Sequence, residues 1–195
     1  MLCWDDDGLY VAGTVDDDRQ VVQPGSLYLG DSVEVFLRIP EAGGARDYQL
    51  ILSPLAEQTR WEFAVFRGRR GLTDGGFEGV QVAGRRLEDG KGAYRGYAFE
   101  AALPLSNFPG FDPAAGGAGI NLAVVDADEG PGQESYLLWS GKTLPSYDPS
   151  AVAPLRFEGA GAAPARPAEA GGEIGVAEWK VPAAILAGTL AALAL

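Results

Sequence analysis

The sequence predicts an all-β fold, a sandwich or a barrel, on three observations. Short runs rich in Val, Leu, Ile and aromatic residues recur between clusters of Gly, Pro and Asp over the first 158 residues. Several of these runs alternate apolar and polar side chains with a period of two, the mark of a half-buried strand. No stretch in this region keeps a helical period over a dozen residues, and short strands at such spacing belong to sandwiches and barrels.

Taken in order, "LCW" and "LYVAGTV" flank "DDDG", whose Asp7-Gly8 is a strong hairpin signal. Strands follow at "DSVEVFLRI", "RDYQLILS", "WEFAVFR", "GVQVAGRR", "YRGYAFEAALP", "GINLAVVDAD", "SYLLWS" and "VAPLRF". In "DSVEVFLRI", Val33, Val35, Leu37 and Ile39 point one way, and Ser32, Glu34, Phe36 and Arg38 the other. Glu34 thus shares its face with an aromatic ring, which is either a solvated face or the floor of a polar binding surface. Pro104 and Pro109 bound a segment suited to one helical turn. From Gly159 the chain runs "GAGAAPARPAEAGG", too poor in large apolar residues to pack a core, and reads as a flexible linker.

The expected plan is a β domain over 1–158, a linker over 159–176 and an apolar helix over 177–195. The run Val181 to Leu195 follows Trp179 and Lys180, which resemble interfacial anchors, but its 15 residues fall short of the roughly 20 that span a bilayer. A membrane helix cut off by the end of the sequence, a short membrane tail and a helix docked on the domain all remain open. The start, "MLCWDDDGLYV", carries no basic and apolar leader pattern and enters directly in a strand, so the N-terminus is expected to be truncated.

Composition removes whole classes of function. A formal charge of −12 argues against nucleic acid as partner, since a phosphate backbone needs a clustered basic surface. The chain has no histidine, which excludes Ser–His and Cys–His catalysis and histidine-ligated haem. Cys3 stands alone, forms no internal disulfide, and is expected as a small buried apolar residue.

The series "LCWDDDGLYVAGTVDDD", "GDSVEVFL", "DYQLILSP", "GYAFEAALPLSNF", "GINLAVVDADEG" and "LLWSGKTLPSYDPSAVAPLRF" resembles the family 9 carbohydrate-binding modules over nearly all of residues 2 to 157. The resemblance implies an antiparallel, jelly-roll-like β-sandwich that binds oligosaccharide or polysaccharide, often at the reducing end, beside extracellular plant-polysaccharide enzymes. Such members hold a sugar ring between two aromatic side chains, matched here by Tyr28 and by Tyr147, where the family usually has tryptophan. The glutamate of the block, a sugar-hydroxyl acceptor in the family, carries over to Glu34. Two contacts depart from the pattern: an expected arginine is Gln49, which still donates and accepts, and an expected glutamine is Ala123, which does neither. The implied localisation is extracellular, periplasmic or at the cell surface.

Other candidates compete with plainer readings. Asp16, Asp17 and Asp18 with Asp126 and Asp128 offer hard oxygen ligands for structural calcium, whereas Asp5 to Asp7 read as turn chemistry. Trp4, Trp61 and Trp139 are expected in packing, and Arg67, Arg69 and Arg70 on a solvated hairpin near Arg85 and Arg86. Glu34 and Glu100 offer a carboxylate pair for glycoside hydrolysis, but a shallow sandwich site favours binding over cleavage. The rival to sugar binding is a structural or protein-interaction sandwich of a surface protein.

Overall fold

The structure, a computed structural model, describes residues 1–54, 77–112, 115–130, 135–141, 143–145 and 148–157, with the backbone alone of 61–67. Tyr147, the Trp61 side chain, the Arg67–Arg70 cluster, the linker and the apolar tail lie outside the described residues. Among the described residues no helix is long and apolar enough to cross a membrane.

Ten strands are described: β1 (Leu2–Trp4), β2 (Gly8–Asp16), β3 (Ser32–Glu41), β4 (Gly44–Pro54), β5 (Trp61–Arg67), β6 (Gln81–Glu88), β7 (Tyr94–Pro104), β8 (Ala118–Asp126), β9 (Ser135–Leu138) and β10 (Ala153–Leu155). All pairings are antiparallel. One sheet runs β1-β2-β7-β6; the other runs β10-β8-β3-β4-β5, with β9 also paired to β8. The Asp7-Gly8 hairpin is present, with Trp4 opposite Leu9, and the segment after Pro104 forms a 3-10 turn over Leu105–Asn107.

Alternation builds the core between the sheets. Leu9, Val11, Phe99, Ala101 and Leu103 from one sheet meet Val33, Val35, Leu37, Leu50 and Leu52 from the other. Val35, Leu52 and Leu103 are fully buried, each such side chain contributing about 1.5–3 kcal/mol relative to exposure. At one end Tyr48, Phe77 and Phe108 pack ring on ring, and Phe111 links them to Phe157, whose ring meets that of Trp4 at 5.3 Å. Gly96 lies at φ +118° where a Cβ would run into the Val15 carbonyl, so only glycine lets β7 pass β2 there.

Two packing expectations are corrected. Trp139 is 47 % exposed, because it follows the short edge strand β9. Cys3 is half-buried, since β1 is the edge strand of its sheet. The carboxylate pair also fails: Glu34 sits on the outer face of the six-stranded sheet and Glu100 on that of the four-stranded sheet, opposite Ala12 and Ala83. The whole sandwich separates them, whereas two catalytic carboxylates stand within about 10 Å of each other.

Candidate functional site

Glu34 lies at the centre of β3, the middle strand of the larger sheet, between Ile51 of β4 and Ala123 of β8. Its face is covered: Ser32, Glu34 and Phe36 are as buried as the core-facing Val33, Val35 and Leu37. The cover comes from later sequence, with Leu144 packed on Phe36 and Ala123 and joined by Leu138 of β9. Glu34 is therefore 2 % exposed rather than a member of a solvated face.

A carboxylate in that position needs a partner, because burying a lone charge is costly. Gln49, two residues along β4 from Ile51, donates from Nε2 to Glu34 Oε2 at 3.1 Å. Burial pushes the Glu34 carboxyl up to about 7, against the smaller opposite pull of the Gln49 hydrogen bond. At neutral pH the group is poised between a carboxylic acid that donates and a carboxylate that accepts.

Tyr28 stands in a 3-10 turn over Leu27–Leu29, just before β3, that the sequence pattern did not reveal. The turn packs against β4 and β5, buries Leu27 and leaves Tyr28 44 % exposed. Asp31 fixes this turn to the sheet. Its Oδ2 accepts from Val21 N at 2.6 Å, its Oδ1 from Ala127 N at 3.1 Å, and its carbonyl oxygen from Ser53 Oγ at 2.9 Å. Gly30 lets the incoming chain pass, since a Cβ there would lie 2.8 Å from the Val21 carbonyl oxygen.

The acidic residues divide. Asp17, Asp126 and Asp128 bring carboxylate oxygens within 4.8 Å of one another, while Asp16 and Asp18 point elsewhere as exposed neighbours. The split falls where β2 ends at Asp16 and the chain bends away through Asp17 and Asp18. Tyr94 donates to Asp17 Oδ2 at 2.8 Å, and Ser135 to Asp126 Oδ2 at 3.2 Å. Burial, with the negative field of Asp17 and Asp126 added, pushes Asp31 up to about 7. Burial and the field of Asp31, Asp17 and Asp126 also raise the Tyr97 hydroxyl well above its ordinary value. Three clustered carboxylate oxygen donors fit a hard cation such as calcium. Asp5 is turn chemistry, accepting from Asp7 N, Gly8 N and Tyr10 Oη.

Sequence reasoning missed Asn121. It sits opposite Phe36 on β8, fully buried, and Nδ2 donates to the carbonyl oxygens of Ser140 and Ala151, both at 2.8 Å. Its Oδ1 accepts from Leu122 N and Ser140 N. The signal was an asparagine amid the apolar run "GINLAVV", a polar group that burial obliges to find partners.

Solved structures share this fold. A family 9 carbohydrate-binding module from Caldicellulosiruptor kristjanssonii in complex with cellotriose matches at 22 % identity and a TM-score of 0.56, covering 85 % of this chain and 78 % of that one. The module from that organism in complex with glucose matches at 24 % identity and a TM-score of 0.54, covering 81 % and 74 %. No curated protein matches the chain. The family model described as "Carbohydrate family 9 binding domain-like" matches residues 1–153, and the chain belongs to that family.

Proposed function

We propose that this domain is a non-catalytic carbohydrate-binding module that takes the end of a glucan or related oligosaccharide at a site built on Tyr28, Glu34, Gln49 and Tyr147. One observation carries the reading: in a member of this family, a carboxylate 2 % exposed is held by a carboxamide at the centre of the sheet. Vicinal sugar hydroxyls donate well to such a carboxylate, and an exposed tyrosine ring offers a flat face to the C–H side of a pyranose. The glucose and cellotriose bound by the solved relatives support gluco-configured ligands. Hydrolysis is no part of the reading, because the family is non-catalytic.

Asp17, Asp126 and Asp128 would hold a structural calcium ion, with backbone carbonyls and water completing its coordination. The domain would work outside the cytoplasm, where polysaccharide is met, with residues 181–195 as its link to a membrane. Retention of the full chain on cellulose and xylan, eluted by glucose or cellobiose, tests the reading. Passage through both columns unretarded would refute it.

A second reading, a protein-interaction sandwich, draws support from Tyr136, Leu137 and Trp139, which leave an exposed apolar edge along β9.

A further inference from the structure

We infer that Asn121 is a positioning residue that clamps both ends of the segment 140–151 over the Glu34 face. Its geometry is that of a staple. A carboxamide has two donor and two acceptor positions, and Asn121 uses all four: Ser140 twice, Ala151 and Leu122. Ser140 and Ala151 stand where the chain leaves β9 and where it nears β10, so one buried side chain fixes the two feet of the loop between them.

Contacts of Leu144 and Pro149 hold described parts of the loop against the sheet. Leu144 packs on Phe36, two residues along β3 from Glu34, and on Ala123, which lies opposite Glu34. Arg38, on the same face, donates from Nη1 to the Pro149 carbonyl oxygen at 3.2 Å and to Asp47 Oδ1 at 2.9 Å. Gly119, opposite Arg38, admits Val152, whose Cγ2 would lie 2.6 Å from a Cβ there. A site that closes on Glu34 from this side binds in proportion to the fraction of molecules holding the loop in place. The inference rests on the sugar-binding reading for its consequence, since that reading puts the second aromatic, Tyr147, in this loop. The clamp itself does not rest on it.

The test uses the full chain, glucose and cellobiose as probes, and Asn107→Ala as control. Asn107 is another buried asparagine, but its side-chain bonds tie Glu78 and Pro104 after β7 and none of them reaches the loop. Asn121→Ala is expected to weaken sugar affinity about tenfold and to speed hydrogen exchange at the Ser140 and Ala151 amides, with core-strand amides unchanged. Asn107→Ala is expected to lower the melting temperature without changing affinity. Arg38→Met, at a partly exposed position, keeps the test alive if Asn121→Ala does not fold; it is expected to weaken affinity about threefold and to loosen Ala151 alone. Unchanged exchange at Ser140 and Ala151, or an affinity loss no larger than that of Asn107→Ala, would overturn the inference. A wild type that binds neither sugar would refute the functional reading, and exchange alone would then decide the clamp.

Discussion

Gln49 Nε2 donates to Glu34 Oε2 at 3.1 Å, joining the two residues of adjacent central strands that the sequence offered as sugar ligands. Gln49 stands where the resemblance implied an arginine. A carboxamide brings no positive charge, so Glu34 keeps the raised pKa that burial gives it, whereas a guanidinium would have held it down.

Sugar affinity is therefore expected to rise with pH between about 6 and 8, as Glu34 ionises and accepts charge-assisted hydrogen bonds. Glu34→Gln should abolish this dependence and weaken binding at pH 8 by about tenfold or more. Titration calorimetry at three pH values, in buffers of different ionisation enthalpy, reads both the affinity and the proton released.

Stability should move the other way. The folded-state pKa of Glu34, about 7, lies above its ordinary 4.5, so the folded protein holds this proton more tightly. The stability from that proton is complete below about pH 4.5 and is lost as pH rises through 7, to an amount on the order of 3 kcal/mol. Asp31, raised from 3.8 to about 7, adds a loss of the same sign over a window that begins lower. Urea unfolding of wild type and Glu34→Gln from pH 4 to 8 should show the slope reduced in the variant.

Tyr28→Ala is expected to cost about 1 kcal/mol or more of binding and almost nothing in stability, because the ring is exposed in a turn whose anchor is Leu27. Tyr28→Trp, with a larger apolar face, should bind more tightly than wild type. Calorimetry with cellobiose alongside thermal melts separates the two effects.

Ala123 behaves differently. It is fully buried beneath Leu144, so Ala123→Gln, which supplies the side chain the resemblance implied there, overfills a packed site and should destabilise by about 1–3 kcal/mol. Loss of sugar affinity would accompany it, since the covering segment is pushed off the sheet. Chemical denaturation and calorimetry on the purified variant check both.

Calcium in millimolar excess is expected to raise the melting temperature of wild type, and a chelator to reverse the gain, by mass action on the folded state. Asp126→Asn combined with Asp128→Asn should remove the response, while Asp18→Asn should leave it intact, because Asp18 lies outside the cluster. Differential scanning calorimetry with and without the ion distinguishes them.

Local signals carried most of the fold. Short β-rich runs between Gly, Pro and Asp clusters located the strands, Asp7-Gly8 marked the first hairpin, and the prolines bounded the turn after β7. Relations between distant segments were not legible. The period of two that puts Glu34 opposite the core cannot tell that Leu144, about a hundred residues later, covers that face. The same gap hid Asn121, whose partners lie 19 and 30 residues away, and it let Trp139 pass for a core residue. The five aspartates looked equivalent as a list, and only the folded chain, which brings the end of β2 beside the end of β8, chose Asp17 over its neighbours.

The central claim is that a buried carboxylate and an exposed aromatic make a sugar site, and calorimetric titration of the full chain with glucose and cellobiose at pH 8 tests it most directly. The expected result is saturable heat with wild type, weakened in Tyr28→Ala and weakened about tenfold or more in Glu34→Gln, both variants remaining folded. Absence of heat with either sugar at millimolar concentration, or equal binding by wild type and both variants, would contradict it.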